Sequence, residues 1–143
     1  MKEAQFVKLI KKNITLFNWL RIETTTMHGF PDLIGISPQM NTLFVEAKIA
    51  VGSKIRLSPH QVSMNIKLWR ETGGCNYIMV FKKHAPPLSL EEANLYEGWM
   101  AKDLLENGVN EPPTANGWHA ICDFLKKVHG SRTDQQCDQS HKV

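Results

Sequence analysis

The sequence predicts an α/β (α+β) fold in which a central mixed β-sheet is flanked by helices. Three observations indicate it: an amphipathic N-terminal helix, two short strands over 32–37 and 42–49, and a well-capped helix followed by a strand over 75–82. A chain of 143 residues can bury a sizeable core in one domain. We expect the capped helix to be a crossover that brings the last strand into the sheet.

The first two elements are a helix and a strand. Residues 2–14 place Glu3, Val7 and Ile10 on one helical face, which predicts an amphipathic helix. Residues 21–27 are rich in β-branched side chains and favour a strand. The polar connection SPQMN between the next two strands is typical of a hairpin.

The helix that follows has clear start and stop signals. Ser58 is a good N-cap, Pro59 suits the first helical position, and Gln61 completes a capping box. Gly73 and Gly74 end the helix before the strand over 75–82.

The second half of the chain predicts a helical extension of the same domain. Residues 84–129 are an acidic and mostly helical region. After a break at 85–87 we expect helices over 89–107 and 116–128. Residues 130–143 are polar and without period, which predicts a flexible tail.

The net charge of +3 conceals an uneven distribution. Residues 1–83 hold 12 Lys and Arg against 5 acids, a balance of +7, whereas 84–125 hold one base against 7 acids, a balance of −6. A basic segment suggests a polyanionic partner such as DNA, although a solvated charged face is the plainer interpretation.

The sequence also indicates the cellular compartment of the protein. No apolar run approaches the roughly 20 residues of a membrane span, and the lysine-rich start does not resemble a signal peptide. Three widely spaced cysteines fit reduced thiols better than a disulfide framework. We therefore expect a cytoplasmic protein without a membrane partner, in the host cytoplasm if the source is a phage.

Two carboxylates are predicted to converge on neighbouring strands. Alternation places Glu46 and Lys48 on one face of an apolar strand, and the hairpin brings Asp32 beside Glu46. Charges on a buried strand are costly without a partner or a metal ion. Paired carboxylates with open positions suit Mg²⁺, and Lys48 would orient a water or stabilise charge on phosphorus. Glu3, at the start of the apolar helical stripe, is a third candidate carboxylate that we expect to face the interior.

These motifs resemble those of the PD-(D/E)xK nuclease superfamily. The segments are GFPDLIGI at 29–36, FVEAKI at 44–49 and LSPHQ at 57–61. Together they resemble the VRR-NUC nucleases and the small phage and archaeal Holliday junction resolvases. The resemblance covers residues 1–83 and implies that this part is a nuclease core with a restriction-endonuclease-like fold.

The resemblance implies a role for each matching residue. Asp32 and Glu46 would be metal ligands, with the Ala47 carbonyl and Glu3 as further ligands. Lys48 would be the catalytic lysine, and Gln61 and Glu3 would join the catalytic set. Mg²⁺ would be the cofactor, with Mn²⁺ as a substitute.

Each residue also has a plainer structural explanation. Asp32 suits a turn after Pro31, and Glu46 with Lys48 could form a surface ion pair. Glu3 suits the first turn of a helix because of the macrodipole, and Gln61 suits the capping box. Lys54 and Arg56, in the loop after the catalytic strand, are candidate DNA-phosphate contacts or solvated loop residues.

The function expected from the sequence is a Mg²⁺-dependent, structure-selective DNA endonuclease. A single short domain favours recognition of backbone shape, and four-way DNA junctions are the expected substrate. The resemblance implies a homodimer, whose two-fold symmetry matches that of a junction. Two alternatives stay open: a nuclease of the same fold that acts on flaps, nicks or specific duplex sites, and a non-catalytic nucleic-acid-binding protein on a degenerate nuclease fold.

Overall fold

A computed structural model describes residues 1–24, 26–84 and 91–130, in which the chain forms a six-stranded mixed sheet and four α-helices. The order along the chain is α1 (Glu3–Asn13), β1 (Asn18–Arg21), β2 (Leu33–Ser37), β3 (Met40–Ile49), α2 (Pro59–Glu71), β4 (Asn76–Lys83), β5 (Glu91–Glu97), α3 (Ala101–Asn107), β6 (Ala115–Asn116) and α4 (Trp118–Leu125). The predicted mixed sheet flanked by helices is confirmed.

The strands lie in the sheet in the order in which they occur in the chain, from β1 to β6. Neighbouring strands are antiparallel except β3 and β4, which are parallel and joined through α2. The hairpin between β2 and β3 and the helical crossover are therefore both as predicted. The crossover places the start of α2 beyond the carboxyl end of β3, next to the strand that holds Glu46 and Lys48.

Each face of the sheet has its own hydrophobic core. On one face, α1 and α4 cover alternate residues of β3, namely Leu43, Val45 and Ala47. On the other face, residues of α2 and α3 pack with Ile55, Leu57, Ile78 and Val80. Glu46 and Lys48 belong to this second face, because they pair with Ile78 and Val80 of β4.

The strand predicted over 21–27 is wrong in position, because β1 is Asn18–Arg21. Trp19 fixes β1, since its buried ring lies against Gly35 of β2 and its indole N–H donates to the Ile14 carbonyl at 2.8 Å. Beyond β1, the Thr24 hydroxyl accepts from the amides of Thr26 and Met27, at 3.3 and 3.1 Å. This local turn competes with a strand despite the β-branched composition.

The helix predicted over 89–107 is wrong in its first part, because Glu91–Glu97 is strand β5. This strand pairs along its whole length with β4, which has six consecutive buried residues and therefore lies inside the sheet. Pairing with the buried strand β4 outweighs the helix propensity of Glu91, Glu92 and Ala93. The predicted break at 85–87 lies outside the described residues.

The rest of the acidic region is mainly helical and packs on the sheet. Leu95, Ile121 and Leu125 are in the same core as α1, and Leu104 is in the core beneath α2. The closing helix α4 is shorter than predicted and continues as a π-helical turn over Lys126–Gly130. The predicted flexible tail lies outside the described residues, apart from Gly130. Every helix in the described ranges is too short or too polar to span a bilayer.

Candidate active site

The β2–β3 hairpin brings Asp32 and Glu46 together. In its register Leu33 is paired with Val45 and Ile34 with Phe44, so that one further step places Asp32 opposite Glu46. Oδ2 of Asp32 accepts a hydrogen bond from the amide of Ala47 at 3.1 Å. This bond fixes the Asp32 carboxylate beside the strand that holds Glu46 and Lys48.

Glu46 is a buried acid whose carboxyl group is not fully hydrogen-bonded. Its relative exposure is 1%, and its Oε1 atom has no hydrogen-bond partner among the residues that the structure describes. Burial raises the pKa of Glu46 well above its usual value, and the hydrogen bond and charge of Asp32 raise it further. Lys48 acts in the opposite direction and Glu3 adds a smaller upward effect. An unsatisfied buried carboxylate oxygen beside a second carboxylate is the environment in which a cation is stabilising.

Lys48 lies one step further along the same face. Its side chain is 13% exposed, and Nζ lies 3.7 Å from Oε1 of Glu3. The Glu3 side chain is 50% exposed, so the expectation that it faces the interior is wrong. Glu3 reaches the site from the edge, because the first turn of α1 lies near the carboxyl end of β3.

A tight turn positions Asp32 relative to α2. Gly29 has φ +79°, and a Cβ there would overlap the carbonyl oxygen of His60. Only glycine allows this approach of the turn to the first turn of α2. The rings of His28 and His60 lie beside it in a tilted contact, with centroids 5.3 Å apart and an interplanar angle of 33°. The sequence motifs at 29–36 and 57–61 are therefore in direct contact.

Gln61 forms the capping box that the sequence predicts. Its side-chain oxygen Oε1 accepts a hydrogen bond from the backbone N–H of Ser58 at 3.0 Å. Its own backbone N–H donates to the Ser58 hydroxyl at 3.1 Å. The capping box holds the Gln61 side chain at the start of α2, where it lines two clefts. The Asp32 cleft, of about 340 Å³, is lined by Asp32, His28 and Gln61 among others. The Lys48 cleft, of about 830 Å³, is lined by Lys48 and Gln61 among others.

The structure brings Lys54 and Arg56 into the Lys48 cleft. Both side chains are exposed and lie on the loop between β3 and α2. Buried Ile55 and Leu57 alternate with them and anchor this loop on the core. The two cations therefore line the cleft on the same segment, next to Lys48.

The donor set fits a small hard cation with open coordination positions. Asp32 and Glu46 supply carboxylate oxygens, and Oε1 of Glu46 lacks any other partner among the residues described. In those residues, no three His, Cys, Asp or Glu side chains form a group that could hold a metal ion. Glu3 is therefore not brought into the carboxylate pair, and its predicted role as a ligand stays a prediction. The carbonyl of Ala47 likewise stays a predicted ligand, whereas its amide is engaged by Asp32.

A second segment that lines the Lys48 cleft is not predictable from the sequence. Residues 105–110, in the acidic region, line the cleft through Leu105, Glu106, Asn107, Gly108 and Asn110. The only local signal was Asn107-Gly108, which indicates a turn but not its place beside the nuclease motifs. The contact depends on tertiary packing of α3, which no sequence period reveals.

Comparisons with known proteins identify similar nucleases. A model of the archaeal Holliday junction resolvase (Hjc) family matches residues 3–102 of the chain. Among solved structures, Hjc from Archaeoglobus fulgidus, a Holliday junction resolvase from an archaeal hyperthermophile, is similar at 18% sequence identity and a TM-score of 0.46. That similarity covers 68% of this chain and 75% of the other. A search of curated proteins gave no significant match.

Proposed function

This chain belongs to the archaeal Holliday junction resolvase (Hjc) family and is a Holliday junction resolving nuclease, and we propose that Mg²⁺ held by Asp32 and Glu46 supports its chemistry. The observation that carries the proposal is Oε1 of Glu46, which is buried opposite Asp32 and lacks a hydrogen-bond partner among the described residues. Two carboxylates and a backbone carbonyl, here Ala47, leave positions for waters and a substrate phosphate, as Mg²⁺ prefers.

The ion would supply charge stabilisation at the scissile phosphate and would acidify a water molecule. Asp32 and Glu46 would hold it as carboxylates, which requires that Glu46 give up its proton when the cation binds. The raised pKa of Glu46 thus makes metal binding release a proton near neutral pH. Mn²⁺, which takes similar oxygen ligands, should substitute.

Lys48 is the proposed catalytic cation of the chain itself. Its ammonium group lies on the same face as Glu46 and is mostly shielded from solvent, at 13% exposure. From there it can donate hydrogen bonds to a water or to phosphate oxygens as negative charge develops on them. Glu3, whose Oε1 lies 3.7 Å from Nζ, would keep the ammonium group directed toward the site.

The size of the domain and the symmetry of a junction support a proposal for the mode of DNA recognition and for the assembly. The described domain has no separate base-reading module, so contacts with phosphates by Lys54 and Arg56 would recognise the shape of branched DNA. We propose a homodimer, because a two-fold axis would present one active site to each of two opposed strands of a junction. Its place of action would be the cytoplasm, where DNA is accessible to it.

A cleavage assay tests this proposal. The protein is incubated with a four-way junction and with a linear duplex of the same sequences, in Mg²⁺ or in EDTA. We expect paired cuts in the junction with Mg²⁺ and little cleavage of the duplex. Equal rates on both substrates would favour flaps, nicks or duplex sites as the natural target. Absence of cleavage with either Mg²⁺ or Mn²⁺ would favour a binding protein on a degenerate fold. Light scattering of the free protein tests the dimer.

A further inference from the structure

The Lys48 cleft has a second side that is contributed by the acidic half of the chain. The amide of Val109 donates to the Ser53 carbonyl at 3.0 Å, and a Cβ on Gly108 would overlap that same carbonyl oxygen. The turn after α3 is therefore held tightly against the loop that follows the catalytic strand. Residues 105–110 therefore border the loop that holds Lys54 and Arg56, and the two segments line the cleft together.

The two sides of the cleft differ in charge. One side, which we call the cationic wall, presents Lys48, Lys54 and Arg56. The other, which we call the far wall, presents Leu105, Glu106, Asn107, Gly108 and Asn110. The far wall thus has no positive charge and one negative charge. Leu105 is 42% exposed and offers apolar surface, and Asn107 donates to Glu111 at 2.8 Å, which orders the wall.

We propose that this cleft binds one single strand of DNA where it leaves the duplex next to the scissile phosphate. The inference rests on the proposed function. The sugar–phosphate backbone would follow the cationic wall from Lys48 to Arg56, and the sugars and bases would face the far wall. A volume of about 830 Å³ beside Lys48 leaves room for such a segment.

Charge favours a single strand over a duplex in this cleft. A duplex presents two phosphate backbones, and the one further from the cationic wall would approach Glu106, whose negative charge repels it. A single strand has one backbone and can turn its less polar side toward Leu105. At the crossover of a junction the two strands of one arm part and enter different arms, whereas in a linear duplex they stay together along their whole length. Glu106 is therefore a specificity-determining residue that disfavours duplex without contacting the reacting atoms.

The test compares Glu106→Lys with a matched control, Asp123→Lys. Both residues are exposed acids in the acidic region, but Asp123 lies on α4, on the opposite face of the sheet. Affinities for a four-way junction, a linear duplex and an oligothymidylate are measured by fluorescence anisotropy in EDTA. We expect Glu106→Lys to lower the preference for junction over duplex by about tenfold. Asp123→Lys should change both affinities by a similar factor. Equal effects of the two variants on this preference would overturn the inference.

A cross-linking experiment locates the strand directly. A junction is prepared with 4-thiothymidine beside the cleavage position, bound to the wild-type protein and irradiated, and the linked peptide is identified by mass spectrometry. We expect links within 105–110. Links only outside this segment, from a junction that is cleaved in Mg²⁺, would overturn the inference while leaving the nuclease assignment intact. Links within 105–110 from a protein that fails to cleave would support the inference and contradict the proposed chemistry.

Discussion

The amide of Ala47 donates a 3.1 Å hydrogen bond to Oδ2 of Asp32. This bond joins the end of the GFPD turn to β3 between Glu46 and Lys48, so that it links the positions of these three motif residues. Asp32 thus accepts a hydrogen bond that positions β3, and in the proposed mechanism its negative charge would also bind the metal ion.

Asp32→Asn should separate these two roles. The amide oxygen of asparagine can still accept from Ala47, so stability should be kept, whereas the lost charge should reduce junction cleavage on the order of a thousandfold. Asp32→Ala should lose both the hydrogen bond and the charge. Loss of the hydrogen bond should lower the free energy of unfolding by about 0.5–1.5 kcal/mol. Single-turnover cleavage and urea unfolding measure the two effects. Equal stability of the two variants would show that the hydrogen bond does not support the site.

Glu46→Gln should stabilise the metal-free protein at neutral and higher pH. Because the pKa of Glu46 is raised in the folded state above its usual value of 4.5, the unfolded chain loses this proton first. The protonated Glu46 side chain therefore contributes its full stability to the folded state below pH 4.5. This contribution is lost as pH rises toward the pKa of Glu46 in the folded state. We expect the variant in EDTA to exceed the wild type by at least about 1 kcal/mol at pH 8 and to differ little at pH 4.5.

Metal binding should reverse that order. Mg²⁺ should raise the Tm of the wild type, because the proposed site exists only in the folded chain. It should have little effect on Glu46→Gln, which lacks one of the two proposed ligands. Thermal unfolding with and without Mg²⁺ checks both statements. A wild type whose stability in EDTA is constant from pH 5 to 8 would contradict the assigned burial of this carboxylate.

Glu3→Gln tests whether Glu3 positions Lys48 or binds metal. The Glu3 side chain is half-exposed, so we expect a change of less than about 1 kcal/mol in unfolding free energy. If Glu3 acts through Lys48, cleavage falls about tenfold, and adding the change to Lys48→Met has no further effect. The concentration of Mg²⁺ for half-maximal rate should stay the same. An increase in that concentration would instead make Glu3 a ligand, as the sequence motifs implied.

Gly29→Ala should disrupt the contact between the GFPD turn and α2. The matched control is Gly52→Ala, which also has positive φ, +62°, but has no atom within 4 Å of an added Cβ. The control should lose about 1–2 kcal/mol through backbone strain alone. Gly29→Ala should lose more, because its Cβ would overlap the His60 carbonyl, and should also slow junction cleavage. Equal losses in unfolding free energy would show that the close approach is unimportant.

The sequence predicts the site better than the periphery of the sheet. Ser58, Gln61 and the β2–β3 hairpin are set by local chemistry, through a capping box and a short connection between apolar strands, and they place Asp32 opposite Glu46. Strand β5 is not predictable from Glu91 and its neighbours, because its pairing partner, not its own propensity, decides its conformation. The far wall depends on the packing of Gly108 against Ser53, a contact between segments 55 residues apart in the chain. Such contacts leave no periodic signal.

The most direct test of the account is the position of a bound Mn²⁺ ion in a crystal of the wild-type protein, measured by anomalous scattering. We predict a peak within coordination distance of carboxylate oxygens of both Asp32 and Glu46, and its loss in Glu46→Gln. A peak elsewhere, or one at this position that is unaffected by Glu46→Gln, would contradict the assignment of these two carboxylates as the metal site.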